Sequence, residues 1–272
     1  MCEGQEVFPR IEENFAFLGS GIIAGVWMER LLAAEVVQCQ QIMACDVRPE
    51  RLQELAQNLS VHTNLENSKG AEFARVVVLA PPPNAVVPVL REIRPSLRPR
   101  QLVISLAAGV PLAKLEDEAG EAAFVRVMPN TPALLGDGMN LVAFGRRVSE
   151  SDQRLMRDLL DVLGKWFEVP DEQMDAWCAL CAVGPTYIFP VIEALASAAA
   201  SHGLDAEKAL TAAAQVVGGA AHLVLESGRS PGELKQMISL RTLHEEEGRK
   251  LFTAAYEEAV TKLEALEQRL AA

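Results

Sequence analysis

Three small residues, Gly19, Gly21 and Ala24, follow the apolar run Phe15-Ala16-Phe17-Leu18. A short buried strand ending in such a run is the entry to a phosphate-binding turn. Gly19 permits the tight bend, Gly21 lets backbone approach a pyrophosphate, and Ala24 lets the next helix pack on the strand. The helix that starts here offers free N–H groups and a partial positive charge to an anion. The second requirement is an acidic residue at the end of a second strand. Gln41-Ile42-Met43-Ala44-Cys45-Asp46 supplies it, with Asp46 placed 27 positions after Gly19. A carboxylate there accepts hydrogen bonds from ribose hydroxyls and favours NAD, whereas Arg48 two residues on pairs with a 2′-phosphate and favours NADP. The cofactor expected is NADP or NAD.

These residues need a scaffold, and the hydropathy pattern predicts one. A helix is expected from Ile22 to about Ala34 and another over Pro49 to Asn58, with Asn67 in a polar link. Arg75–Ala80 is a continuous apolar run typical of a parallel sheet covered on both faces and marks a third strand, with a fourth at Leu102–Leu106 and a fifth at Ala123–Val127. Two more short strands are expected at Met139–Phe144 and Trp166–Val169, with a helix over Glu150–Leu163 between them. Strands alternating with helices imply an α/β fold with a doubly wound, Rossmann-type sheet. Ligands of such sheets sit at the carboxyl ends of strands, so the turns after the first, third, fourth and fifth strands should form one pocket. The candidate cofactor contacts are Gly19, Ser20, Gly21, Ile22, Ile23, Asp46, Arg48, Asn67, Ala80, Pro81, Pro82, Ala107, Ala108, Gly109 and Asn130.

After Pro170 the pattern changes. Alanine-rich helices are expected near Glu172–Ala182, Tyr187–His202, Asp205–Ser227, Gly232–Met237 and Leu243–Leu270, with Asp205 as an N-cap and Gly228 as a stop. Their faces are apolar nearly all round, which demands burial against something. A single domain of this size cannot cover them, so pairing with another subunit is expected. The domain reading is therefore 1–169 for the dinucleotide-binding part and 170–272 for an all-helical dimerisation part.

Composition bounds the rest. The chain has 272 residues, 50% of them hydrophobic, and a formal net charge of −12. That balance argues against nucleic acid and anionic membranes as partners. Met1 to Glu13 carries Glu3, Glu6, Glu12 and Glu13 and lacks the basic start and apolar run of a secretory signal, which points to a cytoplasmic protein. Cys178 to Ala200 is long enough to span a bilayer, but Gly184-Pro185 and Pro190 interrupt it and no basic flank marks an inside face. Cys178 and Cys181 form a C-x-x-C with no second pair or nearby histidine, so buried thiols are expected and no metal site.

Several segments together resemble the pyrroline-5-carboxylate reductase family across about Phe15 to Leu270. They are Ser105-Leu106-Ala107-Ala108-Gly109-Val110, the block from Arg126 through Met128-Pro129-Asn130-Thr131-Pro132 to Ala133, Gly184-Pro185-Thr186-Tyr187, Leu225-Glu226-Ser227-Gly228 and Pro231-Gly232-Glu233-Leu234-Lys235. The resemblance implies a nicotinamide-dependent reduction of a cyclic imine, 1-pyrroline-5-carboxylate to proline, by a homodimer or larger homo-oligomer joined through the C-terminal helices. The protein's task is then to orient the reacting carbons rather than to supply a nucleophile.

The resemblance also implies a substrate loop reading Ser-Pro-Gly-Gly followed by Ala or Thr, then Thr, whose amides hold the carboxylate and whose final threonine faces the imine nitrogen. Here that region reads Met237-Ile238-Ser239-Leu240-Arg241-Thr242-Leu243-His244, shorter and without Pro-Gly-Gly. Thr242 is the matching imine-facing hydroxyl, and Ser239, Arg241 and Thr242 are the candidate substrate contacts, with Arg241 replacing lost amide donors. Two other departures are Cys181-Ala182-Val183 where the family has Ser-Gly-Ser, and Pro82-Pro83 where it has Lys-Pro. They leave two alternatives open: a reductase for a different imine or carbonyl on the same fold, or a dinucleotide-binding dimer without catalysis.

Overall fold

A computed structural model describes residues 8–271 of the chain. The segment 1–7, on which part of the N-terminal reading and Cys2 fall, lies outside the described residues. The chain divides into two compact units, one running to Val183 and taking in Ala259–Ala272, the other Gly184–Glu258.

The first unit is built on an eight-stranded sheet. In chain order its elements are β1 (Phe15–Leu18), α1 (Ile22–Ala33), β2 (Ile42–Cys45), α2 (Pro49–Leu59), β3 (His62–Asn64), α3 (Asn67–Phe73), β4 (Val76–Leu79), α4 (Pro83–Ile93), β5 (Leu102–Ser105), α5 (Leu112–Ala119), β6 (Ala123–Met128), β7 (Gly138–Phe144), α6 (Glu150–Leu163), β8 (Gly164–Glu168) and α7 (Met174–Cys181). The spatial order is β3-β2-β1-β4-β5-β6-β7-β8. β1 pairs parallel with both β2 and β4, so winding reverses direction at the β1/β4 junction. β7 runs antiparallel to β6, and β8 pairs parallel with β7, so these two strands run opposite to the other six. The fold is thus the doubly wound arrangement expected.

The sheet's strands are apolar because both faces are covered. Phe15 and Phe17 point into a cluster with Trp27, Met28 and Leu31 of α1. Ala16 and Leu18 point the other way, against Ala71, Val86 and Leu90. This alternation is the period of a strand whose two faces each meet helices. α3 approaches so closely that a Cβ on Gly70 would lie 2.8 Å from Leu18 Cδ2 and from Cys45 Sγ.

One expectation needs correction here. The polar link around Asn67 is in fact β3 followed by α3, with Asn67 as its first residue. His-Thr-Asn is too short and too polar to carry a strand signal, and it forms because β2 offers a free edge, pairing Met43 with His62. By packing, the compact units divide after Val183, beyond the expected domain boundary at residue 169. Residues 170–183 pack on the sheet: Met174, Cys178 and Cys181 join the core, and buried Arg126 of β6 donates to Asp171 at 2.6 Å. Both thiols of the C-x-x-C are buried and unbridged. Burial pushes Cys178 up to about 12, which makes it inert packing.

The second unit holds α8 (Pro185–Ser201), α9 (Ala206–Ser227), α10 (Pro231–Leu234) and the start of α11 (Glu245–Ala271). Asp205 caps α9, its side chain accepting from Lys208 N–H at 3.0 Å, and Gly228 ends it in the left-handed region at φ 66°. Few residues of these helices are buried, Ala196, Ala209 and Ala213 among them. Phe189, Leu195, Leu210, Val216 and Leu223 are exposed. The end of α11, from residue 259 on, belongs to the first unit, where Leu263 and Leu270 pack against its core.

Candidate functional site

The glycine turn is shaped by what a side chain would meet there. Gly19 sits at φ 85°, and a Cβ would fall 2.6 Å from Pro81 N and 2.8 Å from Ala80 C, so two chain segments cross at this point. Only glycine fits both the angle and the space. A Cβ on Gly21 meets nothing within 4 Å. Gly21 is the N-cap of α1 in the extended region, and the first N–H groups of the helix precede any intrahelical acceptor.

Asp46 fastens this turn. Its carboxylate accepts from Ser20 N–H at 2.9 Å and from Arg48 through the backbone N–H at 3.0 Å and Nε at 2.9 Å. Burial raises the Asp46 pKa, but the hydrogen bonds from the Arg48 side chain and from Ser20 outweigh it and hold the group below the ordinary carboxylate value. Ser20 faces inward, its hydroxyl donating to Cys45 O at 3.1 Å. Arg51 of α2 donates from Nε to Ser20 O at 2.7 Å and so ties the turn to the second βα unit.

A cavity of about 650 Å³ opens beside the turn, at the carboxyl ends of β1, β2, β4 and β5. Of the expected contacts, Gly19, Gly21, Ile22, Ile23, Asp46, Arg48, Asn67, Ala80, Pro81, Pro82, Ala107 and Ala108 line it. The volume is that of an ordinary small-molecule site, and its place at the reversal of winding is where such sheets bind ligands.

Three expected residues are placed elsewhere. Ser20 lies beneath the turn. Gly109 follows Ala107 and Ala108 but lines a separate cavity. Asn130, in the turn after β6, spends its amide on Cys181 O at 3.1 Å and on Met139 N–H at 3.1 Å, so that turn does not reach the pocket. The winding explains why: two strands separate β6 from the switch point. The substrate candidates Ser239, Arg241 and Thr242 belong to the other unit. They lie together in the exposed link between α10 and α11.

Sequence reasoning missed Val47, Pro83, Ala85, Val89 and Leu106 on the lining. Val47 is 82% exposed and Ile22 is 78% exposed, two large apolar side chains left open at one pocket mouth. An apolar residue wedged between Asp46 and Arg48 was a readable signal for the flat face of a base.

The observed cradle fits a dinucleotide: a site a Cβ would fill at Gly19, an open approach at Gly21, a helix start behind it, and an acid–base pair at the end of β2. A doubly wound sheet with this turn, followed by a unit of exposed apolar helices, defines a dinucleotide-binding oxidoreductase with an interaction domain. Comparison with known proteins narrows the class. A family profile described as pyrroline-5-carboxylate reductase dimerisation matches residues 171–266, and one described as NADP oxidoreductase, coenzyme F420-dependent, matches residues 14–109. A pyrroline-5-carboxylate reductase of Methanosarcina acetivorans is 36% identical over 228 residues, covering 84% of each chain. A solved pyrroline-5-carboxylate reductase from Coxiella burnetii superposes with a TM-score of 0.80 at 30% identity, over 94% of this chain and 99% of that one. The Plasmodium falciparum enzyme, solved with NADP bound, shares the fold at a TM-score of 0.86 and 24% identity, over 95% and 99%. The chain belongs to the pyrroline-5-carboxylate reductase family.

Proposed function

We propose that the protein reduces 1-pyrroline-5-carboxylate to proline with NADPH or NADH. The observation that carries this reading is the intact dinucleotide cradle in a chain of this family. A nicotinamide held in this cradle would supply the hydride to the carbon of a protonated C=N bond, whose nitrogen would become the ring amine. The sheet unit does the holding. Pro81, Pro82, Ala107 and Ala108 present small or rigid surfaces against which a flat ring can lie close to backbone. Arg48, more than half exposed and adjacent to the pocket, can turn toward a 2′-phosphate. Asp46 is already fully bonded to Arg48 and Ser20, which leaves it poorly available to a ribose hydroxyl and favours NADP over NAD.

From the helical unit, Thr242 is the group we assign to the imine nitrogen, and Arg241 to the substrate carboxylate, with Ser239 as a further contact. Arg241 is exposed, and an incoming carboxylate would compete for it with the nearby Glu245. Oligomerisation through the helical unit follows from the dimerisation profile and from the apolar side chains exposed on α8 and α9. Two stretches, Asp171–Ser201 and Ala206–Ser227, are long and apolar enough to cross a membrane by length and composition. We assign their apolar faces to a second copy of the chain, in a cytoplasmic enzyme with neither membrane nor nucleic acid as partner.

The loop without Pro-Gly-Gly favours one second reading, a related imine as substrate. NADPH oxidation assayed with 1-pyrroline-5-carboxylate and with 1-pyrroline separates the two. Turnover of the carboxylated imine, with a KM that rises about tenfold or more in Arg241→Ala, supports the assignment, since a charge-assisted pair is lost. Turnover confined to plain 1-pyrroline transfers the enzyme to the second reading. Tight NADPH binding with neither imine consumed leaves only a non-catalytic binder.

A further inference from the structure

A second cavity, of about 320 Å³, lies in the sheet unit apart from the glycine turn. It is bounded by α4, by the loop Gly109–Pro111 before α5, and by the end of α11. Three cationic side chains from three different elements converge on it: Arg91, Lys114 and Arg269. Among the described residues no acidic one lines it, although the chain carries 37 Asp and Glu against 25 Lys and Arg. Glu118 answers two of the cations from outside the lining, pairing with Arg91 at 2.7 Å and with Lys114 at 3.7 Å. Arg269 donates Nε to Ala265 O at 3.3 Å, and among the described residues no carboxylate pairs with it. Three cations against one carboxylate leave a net charge of +2 around a concave surface in a strongly acidic protein.

The rest of the lining is apolar, from Val87, Val110 and Leu270 among others, and the first turn of α4 at Pro83 and Asn84 forms its edge. The positive end of that helix adds to the same field. Cations at the rim and carbon in the floor suit an anion with an organic body rather than a bare inorganic ion. The space is too small for a dinucleotide and ample for a short dicarboxylate.

We propose that this cavity binds a short organic dianion of the dicarboxylate class, at a site distinct from that of the cofactor. The two carboxylates engage Lys114 and Arg269, with Arg91 contributing while it stays paired to Glu118. The methylene segment lies on Val87 and Val110. The site also touches the cofactor cavity, because Pro83 walls both and Gly109 follows the Ala107-Ala108 segment of the other.

The test uses the full chain saturated with NADP, so that the glycine turn and the 2′-phosphate position are filled. Succinate, acetate and inorganic phosphate are titrated calorimetrically at constant ionic strength. Saturable succinate binding at about millimolar or tighter, at least tenfold weaker acetate binding and weaker phosphate binding are expected. The Lys114→Gln/Arg269→Gln double variant should lose at least tenfold in succinate affinity while its NADP affinity is unchanged. If the double variant does not fold, Lys114→Gln alone should show a loss in the same direction, because its side chain is partly exposed and its loss leaves no large void. Absence of saturable binding overturns the proposal, as does unchanged affinity in the variants. Phosphate binding as tight as succinate binding overturns the assignment to an organic dianion. None of these outcomes depends on turnover of an imine, so the site and the proposed reaction can fail separately.

Discussion

Two glycines two positions apart do opposite work, and substitution separates them. Gly21→Val adds a side chain where the protein itself has nothing within 4 Å, at φ −69°, an angle valine adopts freely. The fold should tolerate it, and the melting temperature should stay within a few degrees of the parent. The branch would stand where a pyrophosphate has to approach, so NADPH affinity in a fluorescence titration should fall by about 100-fold or more. Unchanged affinity would mean that the phosphates lie elsewhere. Gly19→Ala should do the reverse at first sight: it forces a left-handed angle and presses on Pro81 backbone, costing about 1–3 kcal/mol of stability before any ligand is added. At the same scale, Arg48→Gln should weaken NADPH by about tenfold and leave NADH nearly untouched. Equal losses for the two cofactors would show Arg48 acting only through Asp46.

Elements explain why the sequence was readable in some places and silent in others. β1 and β4 are fully buried and wholly apolar, and β5 and β6 are fully buried with Ser105 and Arg126 as their polar members, so burial on both faces made all four legible, and the turn chemistry at Gly19 and Asp46 needed particular residues. β3 was invisible because an edge strand of three polar residues owes its existence to its neighbour. Asn130, in the turn after β6, bonds to Cys181 O and Met139 N–H, and nothing in its sequence neighbourhood announced those partners. The tie between the end of α11 and the sheet was also unreadable, and it rests on a crowd of charges. Arg126 faces Asp171 and Asp175, while Glu267 of α11 is raised above its ordinary value, first by burial and then by the Asp175 carboxylate. A carboxyl whose pKa is raised in the folded state stabilises it fully below pH 4.5, and that contribution is lost as the pH rises through the raised value. Glu267→Gln mimics the protonated form, so it should flatten the pH dependence of melting above pH 5 and stabilise the protein near neutrality. The gain should be no more than about 1 kcal/mol, because the group is partly solvated. A variant that melts lower than the parent at pH 7 would show instead that the charged form is wanted there.

At the scale of the whole molecule the question is what covers the helical unit. Val216, Gly219 and Leu223 lie three and four residues apart, so they share one face of α9. Val216 and Leu223 are exposed, and the space beside Gly219 is open, with nothing within 4 Å of a Cβ built there. A stripe with a glycine at its centre lets another helix approach closely, and a contiguous apolar surface left open marks an interaction site. A symmetric pair would set this stripe of one copy against helices of the other, the isologous arrangement commonest in oligomers. The parent should therefore sediment as a dimer or a larger closed assembly. Val216→Glu/Leu223→Glu places two like charges on the stripe and should release monomers at micromolar protein. Because the dinucleotide cradle is built from the sheet unit alone, NADPH affinity of the released monomer should stay within a few-fold of the parent's. Imine turnover should collapse with assembly if the oligomer completes the substrate site, which a dilution series of the parent would also show. A double variant that remains assembled would place the contact on another face, and a parent that is monomeric in water but partitions into lipid vesicles would hand these helices to a membrane.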